Sequence, residues 1–89
     1  MKAVISVTGK DNMGIIAAVS TRCAEYGANI SDISQTVLDE YFAMIMIVDI
    51  DRLKIPFGDF SDSMSELGRE KALEIHVMHE DIFNSMHRV

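Results

Sequence analysis

The chain reads as an α+β sandwich: a four-stranded antiparallel sheet carrying two helices on one face, with a short helix at the C-terminal end. Three observations predict it. Apolar residues recur at period two, then at helical spacing, then at period two again, in the order β-α-β-β-α-β. The third strand candidate, residues 41–50 (YFAMIMIVDI), is apolar at nearly every position, as a central strand is. No Pro/Gly/Ser linker, repeat or low-complexity stretch interrupts the 89 residues, which suit one domain over 1–89.

Residues 2–8 (KAVISVT) alternate, with Ala3, Ile5 and Val7 on one face. A loop, GKDNMG, follows over 9–14. Residues 13–26 read as a helix with Ile16, Val19, Cys23 and Tyr26 on one face, Asn12 or Asp11 as its cap, and Gly27 at the left-handed C-terminal position. Residues 30–38 (ISDISQTVL) form a half-polar strand suited to a sheet edge. Asp39-Glu40 turns it into the apolar strand at 41–50. A second helix is expected over 56–67, with Pro56 in its first turn, Phe57, Phe60, Met64 and Leu67 on its inner face, and Gly68 ending it. Residues 72–78 (ALEIHVM) give the last strand and 80–87 a tail helix around Ile82, Phe83 and Met86. This is the split βαβ, or ferredoxin-like, order. Right-handed crossovers place the first and third strands at the centre.

Composition narrows the function. Eight basic against fourteen acidic residues give a net charge of −6, which argues against nucleic acid, since phosphate recognition runs on Lys and Arg. No apolar run approaches the ~20 residues of a membrane span, and no signal peptide is visible, so no membrane role and a cytoplasmic location are expected. The single cysteine, Cys23, excludes an internal disulfide and any CxxC pair, and on the inner helix face it is a small core residue. His76 falls on a strand near the open face, His79 at a cap or turn, and His87 in the tail, too scattered for a metal site. Asp59, Asp62 and Glu66 share a solvated helix face. No nucleophile is paired with an activating base, so no enzyme and no cofactor are expected.

Two helices cover one face of such a sheet, so the other face should be polar. The third strand departs from this. Phe42, Met44, Met46 and Val48 share one face, yet Ala43, Ile45 and Ile47 on the other are apolar too, beside Val4 and Met78. A contiguous apolar patch on an open face marks an interface, and a homodimer is expected. The alternative is that the tail helix folds back over the patch.

The loop Gly9-Lys10-Asp11-Asn12-Met13-Gly14 carries the most chemical information. Its glycines have P-loop spacing, but Ile15-Ile16 follow where that motif needs Lys and Ser or Thr. What remains is a helix N-terminus, whose free N–H groups suit a carboxylate, and Asp11, which can accept a bond from an ammonium group. One loop can therefore hold both ends of an amino acid. The other reading is a turn that binds nothing. Gly14 is expected inside the first helical turn, keeping that N-terminus bare for a ligand.

The run Thr8-Gly9-Lys10-Asp11-Asn12-Met13-Gly14-Ile15-Ile16-Ala17, followed by Gly27-Ala28-Asn29-Ile30, resembles the ACT domain family, with its Gly-x-Asp-x-x-Gly-Ile loop and its Gly-x-Asn-Ile at the second strand. Asp39-Glu40-Tyr41-Phe42 and the ending from Val77 to Arg88 are similar to small stand-alone ACT proteins related to the ACT modules of the glycine cleavage repressor and formyltetrahydrofolate deformylase. The resemblance implies a regulatory module that binds a small molecule, an amino acid first of all, and pairs with a second copy. By position it implies a site of Lys10, Asp11, Asn12, Met13, Gly14, Ile15, Asn29 and Ile30, and a regulated partner protein. The alternative is an interaction module whose ligand loop is vestigial.

Overall fold

The computed structural model describes residues 1–10 and 13–86. The elements follow the expected order: β1 (Lys2–Gly9), α1 (Ile15–Tyr26), β2 (Asn29–Leu38), β3 (Tyr41–Asp49), α2 (Phe57–Lys71), β4 (Glu74–His79) and α3 (Glu80–Met86). The sheet runs β2-β3-β1-β4, antiparallel throughout, so β1 and β3 are central and β2 is an edge.

Side-chain alternation builds the core. Ala3, Ile5 and Val7 of β1 and Phe42, Met44, Met46 and Val48 of β3 point to one face and are buried. Ile15, Val19 and Cys23 of α1 and Phe60, Met64 and Leu67 of α2 close over them. Each large apolar side chain so buried stabilises by about 1.5–3 kcal/mol. No polar or charged residue is buried among those described. The two helices are joined by a polar clasp: Arg22 Nη1 donates to the Ser63 carbonyl (3.1 Å) and to Ser63 Oγ (2.9 Å).

Three local readings need correction. The inner face of α1 is Ile15, Val19 and Cys23, every fourth residue, with Tyr26 half-buried against the core as expected, while Ile16 falls one position off that line and is exposed. Its N-cap is Gly14, at φ 71° and ψ 8°, without a side-chain cap bond. Gly14 is thus not inside the first turn; it holds the left-handed backbone that lets the loop enter the helix. Asp11 and Asn12, expected as caps, lie outside the described residues, as does His87. Lastly, α2 passes through Gly68 and ends at Lys71, which delays β4 to Glu74. Gly68 is buried against the sheet, where an added Cβ would stand 2.7 Å from the Leu73 carbonyl oxygen. Its lack of a side chain serves close approach, and the left-handed residue that ends α2 is Ala72, at φ 57°.

The open face is as mixed as its sequence. Ile45 is 53% exposed at its centre, with Val4, Ile47 and Met78 half-buried around it. The tail helix leaves Ile45 exposed, and its own Ile82 and Met86 are exposed as well. His79 Nδ1 accepts the Asp81 N–H at 3.2 Å and so caps the start of α3, the role expected of it. Along β2 the core covers only Ile30. Every residue of the strand except Ile30 is exposed, and Val37, on the helix side opposite Phe42, is 60% exposed. Among the described residues no helix is long and apolar enough to cross a membrane.

Candidate functional site

The first half of the expected site lies where β1 hands over to α1. Ile15 is buried to 4% exposure and anchors the first helical residue in the core. Beside this anchor Met13 is 87% exposed, and nothing among the described residues lies within 4 Å of the point where a Cβ on Gly14 would stand. The first intrahelical bond runs from Ala18 N–H to the Gly14 carbonyl at 3.0 Å. The amides of Ile15, Ile16 and Ala17 therefore have no intrahelical acceptor. The first turn holds no acid, and among the described residues no side-chain cap bond is seen at Gly14. These donors carry the positive end of the helix dipole. Lys10, also exposed, is drawn the other way, with its Nζ 5.8 Å from the centre of the Tyr41 ring.

Asn29 and Ile30 form the second half, at the start of β2. Gly27, at φ 80°, makes the turn into it, and its backbone is packed so closely that a Cβ would stand against the Arg52 carbonyl oxygen. The Lys54 N–H donates to the Tyr26 carbonyl at 2.8 Å, which ties residues 52–54 to the end of α1. Arg52 and Lys54 thereby line a cleft of about 520 Å³ with Asn29 and Ile30. Nearby, the amino group of Met1 pairs with Asp51, which holds the Asp51 carboxyl below its ordinary range and the amine above its own.

The sheet register shows that these halves do not meet within one chain. Asn29 stands opposite Asp49, which stands opposite Lys2; Gly9, the last residue before the loop, stands opposite Phe42 and thus in the row of Val37. Seven strand residues separate the two rows, about 23 Å at the usual rise. Lys10, Met13, Gly14 and Ile15 are brought together, Asn29 and Ile30 are brought together, and the two groups sit at opposite ends of the sheet.

Cys23, which might otherwise be read as a nucleophile, is fully buried, and burial pushes its thiol up to about 11. Sequence reasoning missed the basic and aromatic residues around both halves: Arg52 and Lys54 beside Asn29, and Tyr41, Arg69 and Lys71 near Lys10. None belongs to a motif, and only the fold makes them neighbours.

An ACT domain profile matches residues 2–78. Over its whole length the chain is 44% identical to a UPF0237 protein of Listeria innocua, covering 100% of both. The solved structure of an ACT domain protein from Streptococcus pneumoniae superposes with a TM-score of 0.83 at 46% identity, covering 93% of each chain. A formyltetrahydrofolate deformylase from Pseudomonas syringae shares the fold over 88% of this chain and 27% of its own, with a TM-score of 0.78 at 20% identity. The four-stranded order with both helices on one face, the glycine-capped loop and these matches lead to one conclusion: the chain belongs to the ACT domain family.

Proposed function

We propose that the chain is one ACT domain over residues 1–89 that acts as a regulatory module in the cytoplasm, binding a small metabolite, an amino acid first of all, as a homodimer and without catalysis. A partner protein reads its ligand state; nucleic acid and membrane play no part. The ligand carboxylate is received by the amides after Gly14, and Asp11 takes the ammonium group. Lys10, Asn12, Met13 and Ile15 frame that loop, and Asn29 and Ile30 complete the site.

The observation that carries this reading is the separation of the two halves, taken with the unpaired outer edge of β2. Pairing two copies antiparallel along β2, about a two-fold axis at the middle of the strand, sets Asn29 of one copy against Leu38 of the other. Asn29 and Ile30 of one copy then reach the end of the sheet that carries the partner's first loop. An exposed ten-residue edge bearing Ile33, Val37 and Leu38 also calls for a cover. The site would thus be complete only in the dimer, and ligand binding would report on assembly.

A second reading is supported by the open-face patch of Val4, Ile45, Ile47 and Met78: pairing face to face, with a loop that no longer binds. A thermal-shift screen against the twenty amino acids, run beside sedimentation velocity over a dilution series, separates the two. The first reading expects a dimer and a stabilising amino acid, worth about 2.7 kcal/mol at 100 times its dissociation constant. A dimer indifferent to all twenty favours the second. A monomer at micromolar concentration removes both.

A further inference from the structure

A second cleft, of about 700 Å³, opens at the end of the sheet where β1, β3 and the last turn of α2 converge. It exceeds the clefts beside Asn29, at about 580 and 520 Å³, and falls in the size range of small-molecule sites. Its charge runs against that of the chain. Three of the eight basic residues, Lys10, Arg69 and Lys71, line it, in a protein of net charge −6. Among the described residues the only acid lining it is Glu74, whose carboxylate lies 3.4 Å from the His76 ring. Among the described residues, none of the three cations is ion-paired with a carboxylate.

The walls are apolar and firmly placed. Gly9 leaves room for the Leu73 side chain, which a Cβ there would strike. The Leu73 N–H donates to the Gly68 carbonyl at 2.8 Å, and the left-handed Ala72 sets the turn between α2 and β4. The Tyr41 ring stands on the other side, with Lys10 over it. Arg69 and Lys71 also complement the carbonyl end of α2. That does not explain Lys10, which comes from an element about sixty residues away in sequence and adds its charge to the same space.

We propose that this cleft binds a small organic anion with an aromatic or apolar body, the charge held by Lys10, Arg69 and Lys71 and the body laid against Leu73 and Tyr41. The cleft borders the first loop through Lys10, but Arg69, Lys71, Leu73 and Tyr41 lie outside the site completed by Asn29, and the cleft does not depend on pairing.

Phenyl phosphate is the probe, titrated into the isotope-labelled protein and followed by amide chemical shifts. Saturable shifts are expected at residues 8–10 and 68–74. Inorganic phosphate, lacking the ring, should bind at least tenfold more weakly. Arg69→Ala with Lys71→Ala should weaken phenyl phosphate at least tenfold while the other amide positions keep their shifts. Glu74→Gln, which removes an acid from the cleft wall, should tighten it two- to threefold, a gain that misfolding cannot produce. Shifts that do not saturate, equal affinity for the two phosphates, unchanged affinity in the double variant, or shifts centred on Asn29 would each overturn the proposal. An amino-acid stabilisation that survives in the double variant would confirm that the two sites are separate.

Discussion

Replacing Gly14 by alanine tests how the first loop enters α1. The residue sits at φ 71°, where a side chain bearing a Cβ costs about 1–2 kcal/mol. The packing term is close to zero, because no heavy atom of the described residues lies within 4 Å of the added Cβ. The usual helical advantage of alanine over glycine does not apply, since the position is the cap and not the helix interior. The expected loss is therefore about 1 kcal/mol in the ligand-free protein. In a domain of this length that is a fall in melting temperature of roughly 4–8 °C. Gly14→Asn should lose less, because asparagine enters the left-handed region more readily. Urea unfolding followed by circular dichroism, at one fixed protein concentration so that assembly does not vary, gives the three stabilities. If Gly14→Ala is as stable as the wild type, or Gly14→Asn is the weaker of the two, backbone torsion is not the reason for glycine here.

Other expectations follow from the same geometry. Ala72→Gly should stabilise by about 0.5–1 kcal/mol by relieving the left-handed backbone at φ 57°, whereas Gly68→Ala should destabilise by roughly 1–3 kcal/mol because its Cβ would meet the Leu73 carbonyl; denaturant midpoints measure both. The buried Cys23 thiol, raised from 9.0 to about 11, keeps its proton in the folded chain over a range where the unfolded chain loses it. Stability should therefore fall as pH rises above about 9, and the advantage of wild type over Cys23→Ala should shrink by on the order of 2–3 kcal/mol by pH 11. Val37→Lys, on the β2 edge, should weaken the dimer in sedimentation, and Ile45→Glu, on the open face, should leave it intact; the reverse result would place the interface on the open face.

The strand order was legible because residues 41–48 are apolar at every position, the mark of a central strand, while the polar β2 is an edge. Helix ends were less legible, because glycine carries two meanings. Gly27 marks a left-handed residue, at φ 80° just past the end of α1. Gly68 marks a close approach, and the left-handed residue after it is an alanine, which carries no such signal. At the N-terminus of α1 the opposite error arose: Gly14 was placed in the helix because Ile15 and Ile16 both look like core, and only Ile15 is. The loop residues of the candidate site were legible as a motif. Their distance from Asn29 was not, because it depends on the β2–β3 register. The cationic cleft was invisible for a related reason: Lys10 and Arg69 become neighbours only when α2 ends above the tip of β1.

A site shared between two copies can be tested by mixing variants. Gly14→Asp sets a carboxylate in front of the α1 amides in a backbone region that aspartate tolerates, and Asn29→Ala removes the other half. Each variant alone should lose the thermal shift given by whichever of the twenty amino acids stabilises the wild type best. Mixed and allowed to exchange subunits, half of the chains form heterodimers in which one of the two sites is built wholly from unaltered residues. Calorimetric titration of the mixture with that amino acid should recover wild-type affinity at about one quarter of the wild-type number of sites. A mixture that stays as silent as its components, although sedimentation of tagged chains shows that heterodimers form, would mean that the two halves do not meet across the dimer.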